Sequence, residues 1–180
     1  SHSAGHDAAA SDWDQAVAFC DWLTRTCGQH LPPGYVAGLP TEAQWEYSCR
    51  AGTETEYHTG DGAAALAEAG WFNENEGNST RPVGGLKANA FGLHDMHGNV
   101  WEWCEDAWDE EAYANFGRGE PALEGGKDAR RVVRGGAWFD HAGGCCVASR
   151  AGSRPAAAGA PWAFAWPQVR SQGRRSRRER

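Results

Sequence analysis

Apolar residues recur at helical spacing only in the first third of the chain. Trp13, Ala16, Val17, Cys20, Leu23, Thr24 and Cys27 fall on one helical face. A capping side chain at Ser11 or Asp12 precedes an acidic first turn, and Gly28 supplies the stop. This pattern assigns Cys20 and Cys27 to the core rather than to a ligand set. Thr41 and Gln44, directly after Pro40, form a capping box for a second helix running through Trp45 and Cys49 to Gly52. Beyond Gly52 the helical period disappears. Short apolar or aromatic pieces alternate with Gly, Asn, Asp and Pro, which predicts short strands and long, structured loops. Strands are expected at 100–104, 131–139 and around 162–169. No fixed-period repeat and no interdomain linker is visible, so residues 1–169 read as one domain.

Composition narrows the class. The 24 glycines in 180 residues are nearly twice the usual ~7%, which excludes a coiled coil or helical bundle. The ten tryptophans supply buried area that a disordered polyelectrolyte lacks. No apolar run approaches the ~18 to 20 residues of a membrane span, and residues 1–10 lack a basic-then-apolar signal pattern, so the chain is expected to be soluble. The net charge of −7 divides unevenly: residues 1–169 hold 11 Lys+Arg against 23 Asp+Glu, whereas 170–180 hold six arginines and Glu179. An acidic body argues against nucleic acid as the main partner, and 170–180 is expected to be a flexible basic tail. The six cysteines form no C-x-x-C pair and are too sparse for a disulfide scaffold, so buried free thiols are expected.

Three segments carry more specific information: GLPTEAQWEYSCRAGT at 38–53, NAFGLHDMHGNVWEWCED at 89–106 and RVVRGGAW at 131–138. In order and spacing they resemble the formylglycine-generating enzyme, or sulfatase-modifying factor, superfamily. That resemblance implies an α+β, C-type-lectin-like fold with two helices, small antiparallel sheets and much loop structure around buried tryptophans. Trp45, Trp101, Trp103 and Trp138 are then a structural set, and Gly98, Gly135 and Gly136 are turn or close-packing positions. Asn99 and Glu102 offer oxygens to a calcium ion of the kind some relatives bind, with loop-bracing hydrogen bonds as the alternative. His94 and His97 in HDMH suggest a metal only weakly.

The family's enzymes bind copper through two cysteines spaced C-x4-C after the RGG strand, because linear Cu(I) takes two thiolates. Counted from RGG, those positions are Asp140 and Cys145. The paired catalytic cysteines are not both present, so catalysis is the less favoured reading, with a copper oxidase or related metal-assisted enzyme as the alternative; no cofactor is required.

The stretch from Arg131 resembles instead the variable region of C-type-lectin-fold proteins targeted by diversity-generating retroelements, spanning about 134–165. Trp138, Cys145, Ala148, Arg150, Pro155 and Phe164 occupy that frame and are expected in the core. Adenine mutagenesis of asparagine codons cannot produce Lys, Glu, Gln, Met or Trp. Residues 139–161 contain none of these, whereas the other 157 residues contain 32, a rate that would place roughly five in the segment. The resemblance implies a ligand-binding protein with Phe139, Asp140, His141, Gly144, Ser149, Ala151, Ser153, Arg154, Ala157, Gly159 and Ala160 on the binding face. Phe139, His141 and Arg154 are its strongest expected contacts. The implied partner is a protein or cell-surface ligand, and the implied location is the surface of a phage or cell.

Overall fold

The computed structural model describes residues 12–75, 78–113, 124–126, 128–155, 162–163 and 168–171. Helix α1 (Trp13–Cys27) begins where the sequence places it: Asp12 accepts from the Gln15 amide at 2.7 Å and the Gln15 side chain reciprocates. Its inner face buries Ala16 and Cys20 against Ala37, Leu39, Trp103 and Val133, while Cys27 is only half-buried in the last turn. The Thr24 hydroxyl fixes α1 to strand β1 (Tyr35–Gly38), accepting from the Ala37 amide at 2.9 Å. Helix α2 (Glu42–Arg50) carries the expected Thr41/Gln44 box. It stops before Gly52 because Ala51 already turns left-handed at φ 44°.

A third helix, α3 (Gly62–Ala69), departs from the two-helix expectation. Its GAAALAEA sequence has strong helix formers but too few large residues to draw an apolar stripe, so periodicity alone misses it. The remaining strands are β2 (Gly70–Trp71), β3 (His97–Gly98), β4 (Trp101–Ala107), β5 (Arg131–Arg134), β6 (Arg150–Ser153), β7 (Trp162–Ala163) and β8 (Gln168–Ser171).

Four strands form a sheet in the order β6-β5-β4-β7, while β1 pairs with β8 and β2 with β3. The β1–β8, β4–β5 and β5–β6 pairs are antiparallel as expected, and the two-residue β2–β3 and β4–β7 pairs are parallel. Antiparallel β1–β8 pairing brings distant parts of the chain together and incorporates Arg170 and Ser171, two residues that the sequence reading gave to the basic tail. The rest of that tail lies outside the described residues.

Strand β5 ends well before the expected 139. Gly135 and Gly136 follow it at φ 92° and 78°, and a Cβ on Gly136 would lie 2.7 Å from the Gly144 carbonyl oxygen. Only glycine combines that conformation with that approach. Trp45 and Trp103 are fully buried as expected of the structural set, whereas Trp101 and Trp138 are half-buried.

Candidate functional site

Two arginines bracket the segment between β5 and β6, and α2 holds both. Arg134, at the end of β5, is wholly buried; its Nη2 donates to Glu46 at 2.6 Å and its Nε lies 3.5 Å from Glu42. Arg150, at the start of β6, makes a two-pronged pair with Glu42 at 2.8 and 2.7 Å. Tyr113 donates to Glu46, and Arg50 bonds the other Glu46 oxygen at 2.9 Å. Burial works to raise the Glu46 carboxyl, but these hydrogen bonds and guanidinium charges outweigh it and hold the group below its ordinary range. The rings of Trp45 and Trp108 cover Arg134 and Arg150 respectively, so this charge cluster sits among apolar walls.

Between these ends, the scaffold grips the segment by its main chain. Gly98 N–H donates to the Gly135 carbonyl, Trp138 N–H to the Asn99 carbonyl and Asn73 N–H to the Asp140 carbonyl, at 2.7, 2.9 and 3.1 Å. Tyr57 donates its hydroxyl to the Ala142 carbonyl at 2.7 Å. His97 Nδ1 donates to the Cys145 carbonyl at 2.9 Å, Val147 N–H reaches the Glu56 carbonyl at 2.9 Å, and Arg134 bonds the Ser149 carbonyl. At all seven contacts the segment offers a backbone atom. His97 keeps the necessary tautomer because its Nε2 accepts from the His58 amide at 3.3 Å, and burial lowers its pKa to about 4.

Residues 2–164 match the model of the sulfatase-modifying factor enzyme 1-like domain. The chain belongs to this family. Formylglycine-generating enzyme of Mus musculus is 30% identical over 156 residues, an alignment covering 80% of this chain and 38% of that protein. The Mycobacterium tuberculosis enzyme of the same name is 40% identical over 112 residues, or 56% of this chain and 33% of the relative. The chain thus spans about a third of the length of these curated relatives. Among solved structures, Treponema denticola variable protein 1 superposes with TM-score 0.68 at 25% identity, covering 87% of this chain and 68% of that one. PvdO from Pseudomonas aeruginosa gives TM-score 0.74 at 24% identity, with 91% and 61% covered. The architecture is the C-type-lectin-like fold of that family.

On this family scaffold, Phe139, His141 and Arg154 are exposed, and Phe139 meets the Trp138 ring edge-on at 5.3 Å. Gly144, Ser149 and Ser153 are half-buried. Two expected face residues have inward roles. Ala151 packs on the core beneath α1, and the Asp140 carboxylate accepts from the Ala137 amide at 2.9 Å, bracing the loop from within. Of the frame residues expected in the core, Cys145 and Pro155 are buried, Trp138 and Arg150 half-buried, and Ala148 exposed. Val147 occupies the core beside Ala148, packed with Trp45 and Cys104. Ala157, Gly159, Ala160 and Phe164 lie outside the described residues.

The residues at the family's copper positions do not fit a two-thiolate centre. Cys145 is wholly buried, and burial, reinforced by the Asp140 carboxylate, pushes its metal-free thiol up to about 12; the misfit lies in the second position, where no thiolate is available. Asp140 is a hard oxygen ligand engaged with a backbone amide. The proposed calcium oxygens are also engaged in loop bracing. Asn99 pairs through both amide atoms with the Arg81 main chain at 3.0 and 3.1 Å, and Glu102 accepts from Trp45 Nε1 at 2.5 Å. Burial raises the Glu102 carboxyl to about 8. Among the described residues, no group of three or more His, Cys, Asp or Glu is arranged to hold a metal ion.

Sequence reasoning passed over Glu42, Glu46, Tyr57, Asn73 and the carbonyl-holding role of His97. A usable signal existed for the first two: Glu42, Trp45 and Glu46 lie at i, i+3 and i+4 on one helix face, so burying the tryptophan draws both carboxylates toward the core.

Proposed function

We propose that this domain is a non-enzymatic ligand-binding protein whose segment between β5 and β6 is a diversifiable surface. The observation that carries the reading is the main-chain grip on that segment. Hydrogen bonds from backbone atoms survive side-chain replacement, so residues such as Phe139, His141 and Arg154 can change while the loop keeps its path. The likeness to a variable protein of Treponema denticola and the absence of Lys, Glu, Gln, Met and Trp from 139–161 support it. Its partner is a protein or cell-surface ligand, met from the surface of a phage or bacterium.

The alternative, a formylglycine-generating oxidase, draws on the enzyme relatives and meets the misfit at Asp140 and Cys145. A library randomised at 139, 141, 149, 153 and 154 separates the two. The binding reading expects most members to fold with melting temperatures near the parent's and some to be selected against immobilised proteins. General loss of folding overturns it, as does stoichiometric Cu(I) binding by the parent with oxygen uptake on a cysteine peptide. Sequencing the locus gives an independent check: a neighbouring reverse transcriptase and a template repeat differing at adenines are expected.

A further inference from the structure

Beside the variable segment, two polar atoms are shut away from solvent without a hydrogen-bond partner: Trp71 Nε1 and Arg81 Nε. They belong to side chains in contact, since the Arg81 guanidinium lies 5.3 Å from the centre of the Trp71 ring. Both are donors, and an unsatisfied buried donor is costly enough that most folded proteins avoid it. Only an acceptor can satisfy either atom. Because one donor belongs to a permanent cation whose planar fork matches a carboxylate, the best acceptor is a carboxylate.

The position of the pair links it to the segment through Asn99. The Asn99 N–H donates to the Trp71 carbonyl at 2.7 Å, its own carbonyl accepts from Trp138 N–H at 2.9 Å, and its side-chain amide holds the Arg81 main chain. Trp71 is fixed further by β2–β3 pairing, so close that a Cβ on Gly98 would lie 2.0 Å from the Trp71 carbonyl oxygen. Backbone positions are thus locked, whereas the half-buried Arg81 guanidinium rests on the Trp71 ring with no hydrogen bond of its own among the described residues, so a carboxylate that displaced it from the ring would meet a donor from each side chain.

We propose that Trp71 and Arg81 form a fixed anchor for an aspartate or glutamate side chain of the protein partner, adjoining the diversifiable face. The proposal rests on the binding reading above. The anchor supplies an affinity component that stays constant as the segment varies, which matters because the segment itself offers few large side chains.

The test is a ¹H–¹⁵N titration of the whole chain followed at the indole cross-peaks, with Trp71→Phe identifying the relevant one. N-acetylglutamate amide is expected to move the Trp71 indole signal, and its glutamine counterpart to bind roughly tenfold more weakly, since charge-assisted hydrogen bonds are about twice as strong as neutral ones. Arg81→Gln should abolish the response while the other nine indole signals stay in place, reporting an intact fold. An unmoved Trp71 signal, equal responses to the two compounds, or a response that persists in Arg81→Gln overturns the anchor. A failed titration alongside a library that still yields folded binders overturns the anchor alone. The reverse outcome overturns the diversifiable surface alone.

Discussion

Glu42 is the residue on which both ends of the segment between β5 and β6 converge. The replacement Glu42→Gln keeps the shape and the helix but removes the charge facing Arg150 at 2.7 Å and Arg134 at 3.5 Å. Arg134 and Glu42 are 0% and 1% exposed, so solvent cannot take over from the lost carboxylate. Removing one partner of a buried ion pair costs about 3–5 kcal/mol because the remaining charge is left uncompensated. Here Arg134 retains Glu46 at 2.6 Å, and Arg150 retains the Asp109 carbonyl at 2.8 Å. The lower end, about 3 kcal/mol, is therefore expected. For a domain of this size, that corresponds to a fall of roughly 6–12 °C in melting temperature by circular dichroism at pH 7. Hydrogen exchange should show the amides of Gly144, Val147 and Ser149 losing protection before those of α1. A fall of less than about 2 °C, the range of an exposed ion pair, refutes the inference that this clamp holds the segment.

Other substitutions test the remaining parts. Glu102 has a folded pKa raised from 4.5 to about 8, so the folded state keeps its proton longer and loses stability as pH rises through that window, on the order of 5 kcal/mol in all. Glu102→Gln should therefore gain melting temperature over the parent increasingly from pH 5 to pH 8; a constant difference contradicts this. His97 behaves oppositely, its pKa being lowered from 6.5 to about 4: its stabilisation is present above pH 6.5 and lost as pH falls toward 4. The acid limb of the melting curve should be shallower in His97→Gln, and an unchanged limb counts against the buried neutral imidazole. Gly136→Ala should cost about 2–4 kcal/mol in denaturant titrations, through its left-handed φ and its contact with Gly144. Gly143→Ala, whose added Cβ meets nothing nearer than 3.7 Å, should be close to neutral.

Several features are legible in the sequence alone. Helices α1 and α2 are legible because caps and apolar spacing are local properties of a few neighbouring residues, whereas the end of β5 at Arg134 is not, although Gly135 and Gly136 read as turn or close-packing positions. The three motifs identified the family, and a compositional gap outlined the segment proposed to vary. Helix α3 stayed hidden because alanine favours a helix without marking a face. The exchange of Ala148 for Val147 as the core residue escaped for a related reason: in a loop, no period says which neighbour points inward.

The sequence by itself determined the family, the two capped helices and the lack of a second family-type cysteine at Asp140, all of which depend on residue identity and short-range order. Only the tertiary structure decided how Glu42 meets Arg150 across 108 positions of chain, and how the segment is gripped by its backbone. It also set the protonation of Glu102, His97 and Cys145. These properties come from removing water around groups that are distant in sequence, and desolvation is fixed by what packs over a residue rather than by what precedes it.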